Sequence, residues 1–241
     1  MGNYNNFDNR YDFDSSYASA RTSLNQYMAR TFGWMFVGLM VTFLLAAVLS
    51  VTGAVFYLFA IPGIMMILLV AEVAVVLIMS IGIQKRSAGV TRMLFFAYSI
   101  LNGIVFSAYF VVYGVANLIA MFGLTALFFG AFALYGRNTK ADLSRLRPLL
   151  IGGLIFLVIA ALLSFFINMT AAERIICLVG ITIFLGFTAY DTQKIKANYE
   201  YFSGDEAMLQ KASIYSALQL YLDFINLFLY MLRFLGRNSR R

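Results

Sequence analysis

Residues 212–235 read ASIYSALQLYLDFINLFLYMLRFL, an apolar run of 24 residues. A helix needs about 20 apolar residues to cross the hydrocarbon core of a bilayer. Asp223 stands near the middle of this run, and Asn226 follows it on the same helical face. A charged side chain at that depth costs at least about 2.5–3.5 kcal/mol, so Asp223 needs a partner, a water cavity or a function. The run therefore predicts a transmembrane helix with a functional acid.

Six further apolar segments precede this run, at residues 31–52, 60–83, 92–113, 115–136, 148–168 and 174–193. The chain of 241 residues is 62% hydrophobic and 12% charged, far more apolar than a soluble domain. The loops between the segments are too short to hold a domain. The pattern predicts an all-α integral membrane protein with seven transmembrane helices. Its domain covers residues 31–235, after a cytoplasmic tail and interfacial segment at 1–30 and before a basic tail at 236–241.

The composition excludes several kinds of chemistry. There is no histidine, which removes Ser-His hydrolysis and histidine-ligated metals. The single cysteine, Cys177, lies in an apolar run and can form neither an internal disulfide nor a multi-thiolate site. The formal net charge of +7 comes from basic residues in short loops, where anionic lipid rather than nucleic acid explains it. We expect no cofactor, and a lipid bilayer as the main partner.

The basic residues also predict the orientation. They lie before segment one and after segments two, four and six: Arg10, Arg21, Arg30, Lys85, Arg86, Arg92, Arg137, Lys140, Arg145, Arg147, Lys194, Lys196 and Lys211. The opposite loops hold only Arg174, so the positive-inside rule predicts a cytoplasmic amino terminus. Seven crossings then place the basic carboxy-terminal tail outside, against the same rule. We prefer a true seventh span to a re-entrant one, because the run is long enough and late helices influence topology weakly.

Three acids lie within apolar segments: Glu72, Asp191 and Asp223. Function is favoured for Asp223, since Asn or Ser would supply helix contacts at lower cost. Asp191 is nearly as well explained as an acid paired with Lys194 or a loop arginine near the membrane surface, and Glu72 is evenly balanced between packing and function. If two of the acids meet, they either share a proton or hold a cation through oxygen ligands. With these boundaries Asp191 and Asp223 lie about 6 and 16 Å from the cytoplasmic helix ends, so pairing requires a kink or shifted boundaries.

Two segments resemble the acidic carboxy-terminal motifs of the transmembrane Bax inhibitor motif family in its bacterial members. They are FLGFTAYDTQKIK at 184–196 and SALQLYLDFINLFLYMLRFLG at 216–236. Weaker similarity comes from RTFGWMFVGLMVTF at 30–43, AEVAVVLIM at 71–79 and ALYGRNTKADLS at 133–144. The resemblance thus covers nearly the whole chain.

The resemblance implies seven helices with the last one central, surrounded by the other six. It also implies a pH-sensitive calcium leak across a bacterial inner membrane. Asp191 and Asp223 would be the pH-sensing pair and transient calcium ligands. Glu72 would lie near the ion pathway, and we expect the buried amides Asn102 and Asn226 to support the arrangement.

One family feature is displaced in this sequence. The resemblance implies an arginine of the second span that latches onto the acidic pair, but the aligned position falls on or near Ile83. Lys85 and Arg86 follow two and three residues later, and we assign the latch to Arg86.

Two other functions stay open beside the channel. A scaffold that regulates other membrane proteins would use the acids only for packing. An intramembrane aspartyl protease would pair Tyr190-Asp191 with Asp223, but Leu220-Tyr221-Leu222 stands where a Gly-x-Gly turn is needed and no Pro-Ala-Leu follows. We therefore expect a protein that is not an enzyme.

Overall fold

The computed structural model describes residues 22–80, 86–164, 166, 167, 169 and 171–236. These residues form helices and no strands. The helices are α1 (Leu24–Val51), α2 (Ala54–Phe59), α3 (Ile64–Ser80), α4 (Ala88–Tyr113), α5 (Val115–Asn138), a 3-10 turn (Leu143–Leu146), α6 (Arg147–Leu163), α7 (Glu173–Phe202) and α8 (Glu206–Gly236). The prediction of an all-α protein is confirmed. Residues 1–21 and 237–241, with the tail and the basic residues predicted there, lie outside the described ranges.

Six helices of the described chain are long and apolar enough to cross a membrane: Leu24–Val51, Ala88–Tyr113, Val115–Asn138, Leu143–Leu163, Glu173–Phe202 and Glu206–Leu235. The segment predicted at 60–83 differs, because its apolar helix covers only Ile64–Met79. Gly63 precedes that helix at a φ of 77°, a conformation that glycine adopts without strain, and Pro62 adjoins it. Within the described part of the predicted segment only α3 is an α-helix, and α2 precedes the segment.

Local sequence determines where several helices begin. Ser23 and Gln26 form a reciprocal capping box at the start of α1, so the segment predicted as interfacial merges with the first span from Leu24 onward. Ser87 accepts a hydrogen bond from the Val90 amide at the start of α4. Between α4 and α5 the chain turns at Gly114. Its φ of 77° is a conformation that glycine adopts without strain because it has no Cβ.

The last helix supplies much of the core. Six of the largest fully buried side chains belong to α8: Ile214, Leu218, Leu220, Tyr221, Phe224 and Phe228. It packs against α1, α4, α5 and α7. Large apolar side chains on the outer surfaces of the other helices are exposed, as a lipid-facing surface requires.

Cross-helix contacts place one set of helix termini together, here called the basic end. Arg30 pairs with Glu206 at 3.5 Å, and Arg137 donates to Asn25 at 3.1 Å. Arg92 reaches Gln210 at 3.4 Å. The start of α1 and the turn between α7 and α8 therefore lie at the same end, and the opposite end is called the far end below.

Candidate functional site

The register of α7 against α8 brings two acids together. Asn198 donates to Ser216 at 3.1 Å and Lys194 donates to Gln219 at 3.4 Å. The residue numbers of the contacts fall along α7 as they rise along α8, which is the pattern of two antiparallel helices. One turn further from the basic end, the carboxyl groups of Asp191 and Asp223 lie within hydrogen-bonding reach of each other.

This pairing removes the difficulty raised by the predicted boundaries. Helix α7 continues to Phe202, not to residue 193, and α8 begins at Glu206, not at residue 212. Asp191 thus lies about 16 Å and Asp223 about 26 Å along their helices from the intervening turn. Both distances grow by about 10 Å, so the difference between them stays at about 10 Å, and the offset between the ends of the two helices is what lets the acids meet.

The acidic pair is buried beside a small cavity. Asp191 is 7% exposed and Asp223 5% exposed. The cavity of about 250 Å³ is lined by Leu154, Phe184, Phe187, Asp191, Gln219, Leu222, Asp223 and Asn226. Oδ2 of Asp223 is buried without a hydrogen-bond partner in the described part of the chain. An unpaired carboxylate oxygen at this depth is costly, so it marks a position for a proton, a water molecule or a cation.

The pair alone offers too few ligands for a permanent metal site. Within the described ranges no group of three or more Asp, Glu, Cys or His side chains could hold a metal ion. Calcium takes six to eight oxygen ligands, which two carboxylates cannot supply without amide oxygens and water. Gln219 and Asn226 line the same cavity and carry such amides. The two carboxylates by themselves therefore do not form the ligand set of a resident calcium ion.

Cations surround the pair on its basic side. Lys194 lies one helical turn from Asp191 and is held by Gln219, which lies one turn before Asp223. Arg147, at the start of α6, acts electrostatically on Asp191. The hydroxyl of the neighbouring Tyr190 also interacts electrostatically with Asp191. These positive charges offset part of the negative charge that two buried carboxylates would carry.

The segment before α6 is fastened to α7 next to the pair. The side-chain amide of Gln193 makes both bonds. Its Nε2 donates to the backbone carbonyl of Ala141 at 2.8 Å, and its Oε1 accepts from the backbone N–H of Leu143 at 2.9 Å. Asp142 accepts from the Ser144 amide at 2.9 Å, and the hydrogen bonds of Ser144 lower the pKa of this exposed carboxyl. These contacts hold the start of α6, with Arg147, near Asp191.

Glu72 belongs to a second polar group. It lies within electrostatic range of Tyr98 and Tyr221, and its Oε1 is buried without a hydrogen-bond partner among the described residues. Tyr221 shares a hydrogen bond of 2.6 Å with Thr42, which donates to the Ser99 carbonyl at 2.8 Å.

The two polar groups occupy different faces of α8. Tyr221 precedes Asp223 by two residues, and two residues rotate a helix by about 200°. Glu72 is therefore not brought to the acidic pair.

The two amides divide between the groups. Asn102 donates to the Tyr98 carbonyl at 3.2 Å in the Glu72 group, whereas Asn226 donates to the Leu222 carbonyl at 2.8 Å beside the acidic pair.

Arg86 donates a hydrogen bond to the carbonyl of Ile78, at the end of α3. Lys85 and Ile83 lie outside the described residues. The latch role of Arg86 thus stays a prediction.

The sequence-based prediction named Asn226 but missed Ser213, Ser216 and Gln219, which lie on the same helix as Asp223. Ser213, Ser216, Gln219, Asp223 and Asn226 follow one another at spacings of three or four, which places them on one face. That spacing indicates a polar face on this helix and could have been recognised in the sequence.

Comparisons with known proteins cover nearly the whole chain. A sequence profile of the family described as "Inhibitor of apoptosis-promoting Bax1" matches residues 24–240. The chain is 43% identical over 229 residues to "Inner membrane protein YbhL" of Escherichia coli K12, covering 94% of this chain and 98% of that protein. It is 34% identical over 213 residues to "Uncharacterized protein RP147" of Rickettsia prowazekii, covering 88% and 90%. An uncharacterized protein of Borreliella burgdorferi is 33% identical over 214 residues, covering 88% and 92%.

Proposed function

The chain belongs to the Bax inhibitor family of membrane proteins, and from that premise we propose that it is a pH-sensitive calcium leak channel of the inner membrane. Protonation of the Asp191–Asp223 pair changes how α7 and α8 pack and so gates the leak. The observation that carries this proposal is the contact between two buried carboxylates on adjacent helices. No covalent catalysis is part of it.

The proposal includes an arrangement in the membrane. The chain crosses seven times, with α2 and α3 together forming the second crossing and α8 at the centre. The burial of α8 and its packing against four other helices support the central position. The basic end faces the cytoplasm, because Arg30, Arg92 and Arg137 gather there.

The charge of the pair links pH to calcium. With both carboxylates ionised the pair carries two negative charges and attracts a divalent cation. Each proton taken up removes one charge, so acidification weakens calcium binding. Lys194 of α7 acts electrostatically on both acids, and Arg147 of α6 acts on Asp191, so both cations bear on the charge of the pair.

Calcium flux into proteoliposomes tests this function. Purified protein is reconstituted around a calcium indicator, and uptake is measured across a series of pH values. Asp223→Asn, at the more buried carboxylate of the pair, should change the pH profile of uptake, because only Asp191 is left to gain and lose a proton. Glu200→Gln makes the matching change at an exposed carboxyl of α7 and should leave uptake unchanged.

Two results would contradict the channel. If Asp223→Asn keeps the wild-type rate and pH profile, the pair does not gate the leak. If wild-type protein conducts nothing while a membrane protein co-purifies with it stably, the scaffold function is correct instead.

A further inference from the structure

The interface between α7 and α8 changes character at the acidic pair. From the basic end up to the pair, the facing residues are polar and bond to one another: Asn198 with Ser216, then Lys194 with Gln219. Beyond the pair, toward the far end, the same helices face each other with aromatic rings. We call the first half the polar seam and the second half, formed by Phe184, Phe187 and Tyr230, the aromatic group.

The polar seam has the chemistry of a path for water. Its amides, hydroxyl and ammonium groups can exchange their mutual hydrogen bonds for bonds to water at little cost. Ser216 is buried, but Gln219 and Lys194 are half-exposed, and Gln219 lines the cavity that also contains both acids. At the end of the seam the unpartnered Oδ2 of Asp223 offers a buried acceptor, which a water molecule arriving by this route would satisfy.

The aromatic group has the opposite character. The rings of Phe184 and Tyr230 stack with centroids 5.8 Å apart, and Phe184 contacts Phe187 at 6.1 Å. Tyr230 lies directly on the backbone of α7 at Gly180, where an added Cβ would come within 2.6 Å of the ring. Asn226 extends the polar lining by one turn beyond the pair, in the cavity that Phe184 and Phe187 also line. The stacked rings of Phe184 and Tyr230 follow, and an apolar constriction of this kind excludes water by dewetting.

We propose that the polar seam is the route by which water, and the cations it carries, reach the acidic pair from the basic end, and that the aromatic group closes this route toward the far end. A cation on this route has to move the Lys194 ammonium aside, which its flexible stem allows. The inference rests on the proposed function for its purpose, but the path itself can be tested without any conduction.

Cysteine labelling tests the path. In a Cys177→Ala background, Ser216→Cys and Gln219→Cys place thiols in the seam, and Leu218→Cys places one on a fully buried apolar face of the same helix. A charged, membrane-impermeant methanethiosulfonate is applied to right-side-out and to everted vesicles. Thiols at 216 and 219 should react roughly tenfold faster than the thiol at 218, and from one membrane face only.

Labelling can overturn the path whether or not the protein conducts. If both seam thiols react as slowly as Leu218→Cys from both faces, water does not enter the seam. If they react equally from both faces, the aromatic group does not close it. Two seam positions, 216 and 219, are labelled, so that if one cysteine variant fails to fold the other still measures whether water enters the seam.

Calcium flux tests the closure. Phe187→Ala and the milder Phe184→Leu should raise uptake roughly tenfold over wild type, because a gap in the constriction admits water. Phe132→Ala, at an exposed ring of α5, removes the same type of side chain away from the route and should leave uptake unchanged.

The flux results separate the two proposals. If wild-type protein shows pH-dependent uptake and the aromatic variants take up calcium at the same rate, the closure is refuted and the channel proposal stands. A wild type without uptake would refute the channel, and the labelling pattern would still decide the path.

Discussion

Replacing Gly136 by alanine should loosen the crossing that positions Asp191. A Cβ at residue 136 would fall on the backbone carbonyl oxygen of Ala189 and lie 2.8 Å from its Cα and its carbonyl carbon. Carbon atoms in contact are ordinarily about 3.5–4.0 Å apart, so α5 and α7 would have to separate by roughly 1 Å. Backbone atoms cannot turn aside as a side chain would. Overpacking of this kind costs about 1–3 kcal/mol.

The matched control is Gly130→Ala on the same helix, where an added Cβ meets nothing within 4 Å. That change should stabilise the protein by about 0.5–1 kcal/mol, because alanine is the better helix former. Thermal unfolding of both variants in detergent measures the contrast, at roughly 2–4 °C per kcal/mol for a chain of this size. Gly136→Ala should melt below wild type and Gly130→Ala at or above it. A Gly136→Ala protein as stable as the control would refute the close crossing of α5 and α7.

Three further predictions concern the surroundings of the site. Gln193→Leu removes both hydrogen bonds to the segment before α6 and should cost about 1–3 kcal/mol, seen as faster limited trypsin cleavage after Lys140. Ser144→Ala should return the Asp142 carboxyl toward its ordinary pKa of 3.8 in a carbon-13 titration, since Ser144 is the main cause of its lowered pKa. The small stability that this carboxyl contributes is present above pH 3.8 and is lost as pH falls through the lower folded-state pKa. Acid unfolding of Ser144→Ala should keep only the part due to the backbone N–H of residue 144, because alanine retains that hydrogen bond. Thr42→Val and Tyr221→Phe should show a coupling of about 0.5–1.5 kcal/mol in a double-mutant cycle, because the two hydroxyls share a hydrogen bond. Independent effects would mean that this bond contributes nothing to stability.

Much of the fold followed from the sequence for a simple physical reason. Long apolar runs have few alternatives to helices in a bilayer, so the class of the protein and most of its helices could be predicted. The length of α7 and α8 could not, because their polar ends around Asn198 and Gln210 have no apolar signal. Those ends are helical through contacts with other helices, such as the bond between Arg92 and Gln210.

The candidate site was predictable in part. The cost of a buried charge marked Glu72, Asp191 and Asp223 as acids in need of a partner, and the resemblance named Asp191 and Asp223 as the pair. The contact between those two acids agrees with that pairing. Which acids meet depends on the helix register, which no local pattern encodes. The resemblance placed Glu72 near the ion pathway, and that role stays a prediction. In the structure Glu72 lies within electrostatic range of Tyr98 and Tyr221 rather than beside the pair.

The positions of Tyr221 and Asp223 on opposite faces of a single helix have a mechanical consequence. A helix turns or slides as a rigid body, so α8 cannot alter its fit against α7 without also disturbing its fit against α1 and α4. A change of charge at Glu72 that displaces α8 therefore also alters the surroundings of Asp223, and the reverse holds. The two sites are coupled through one shared helix without direct contact.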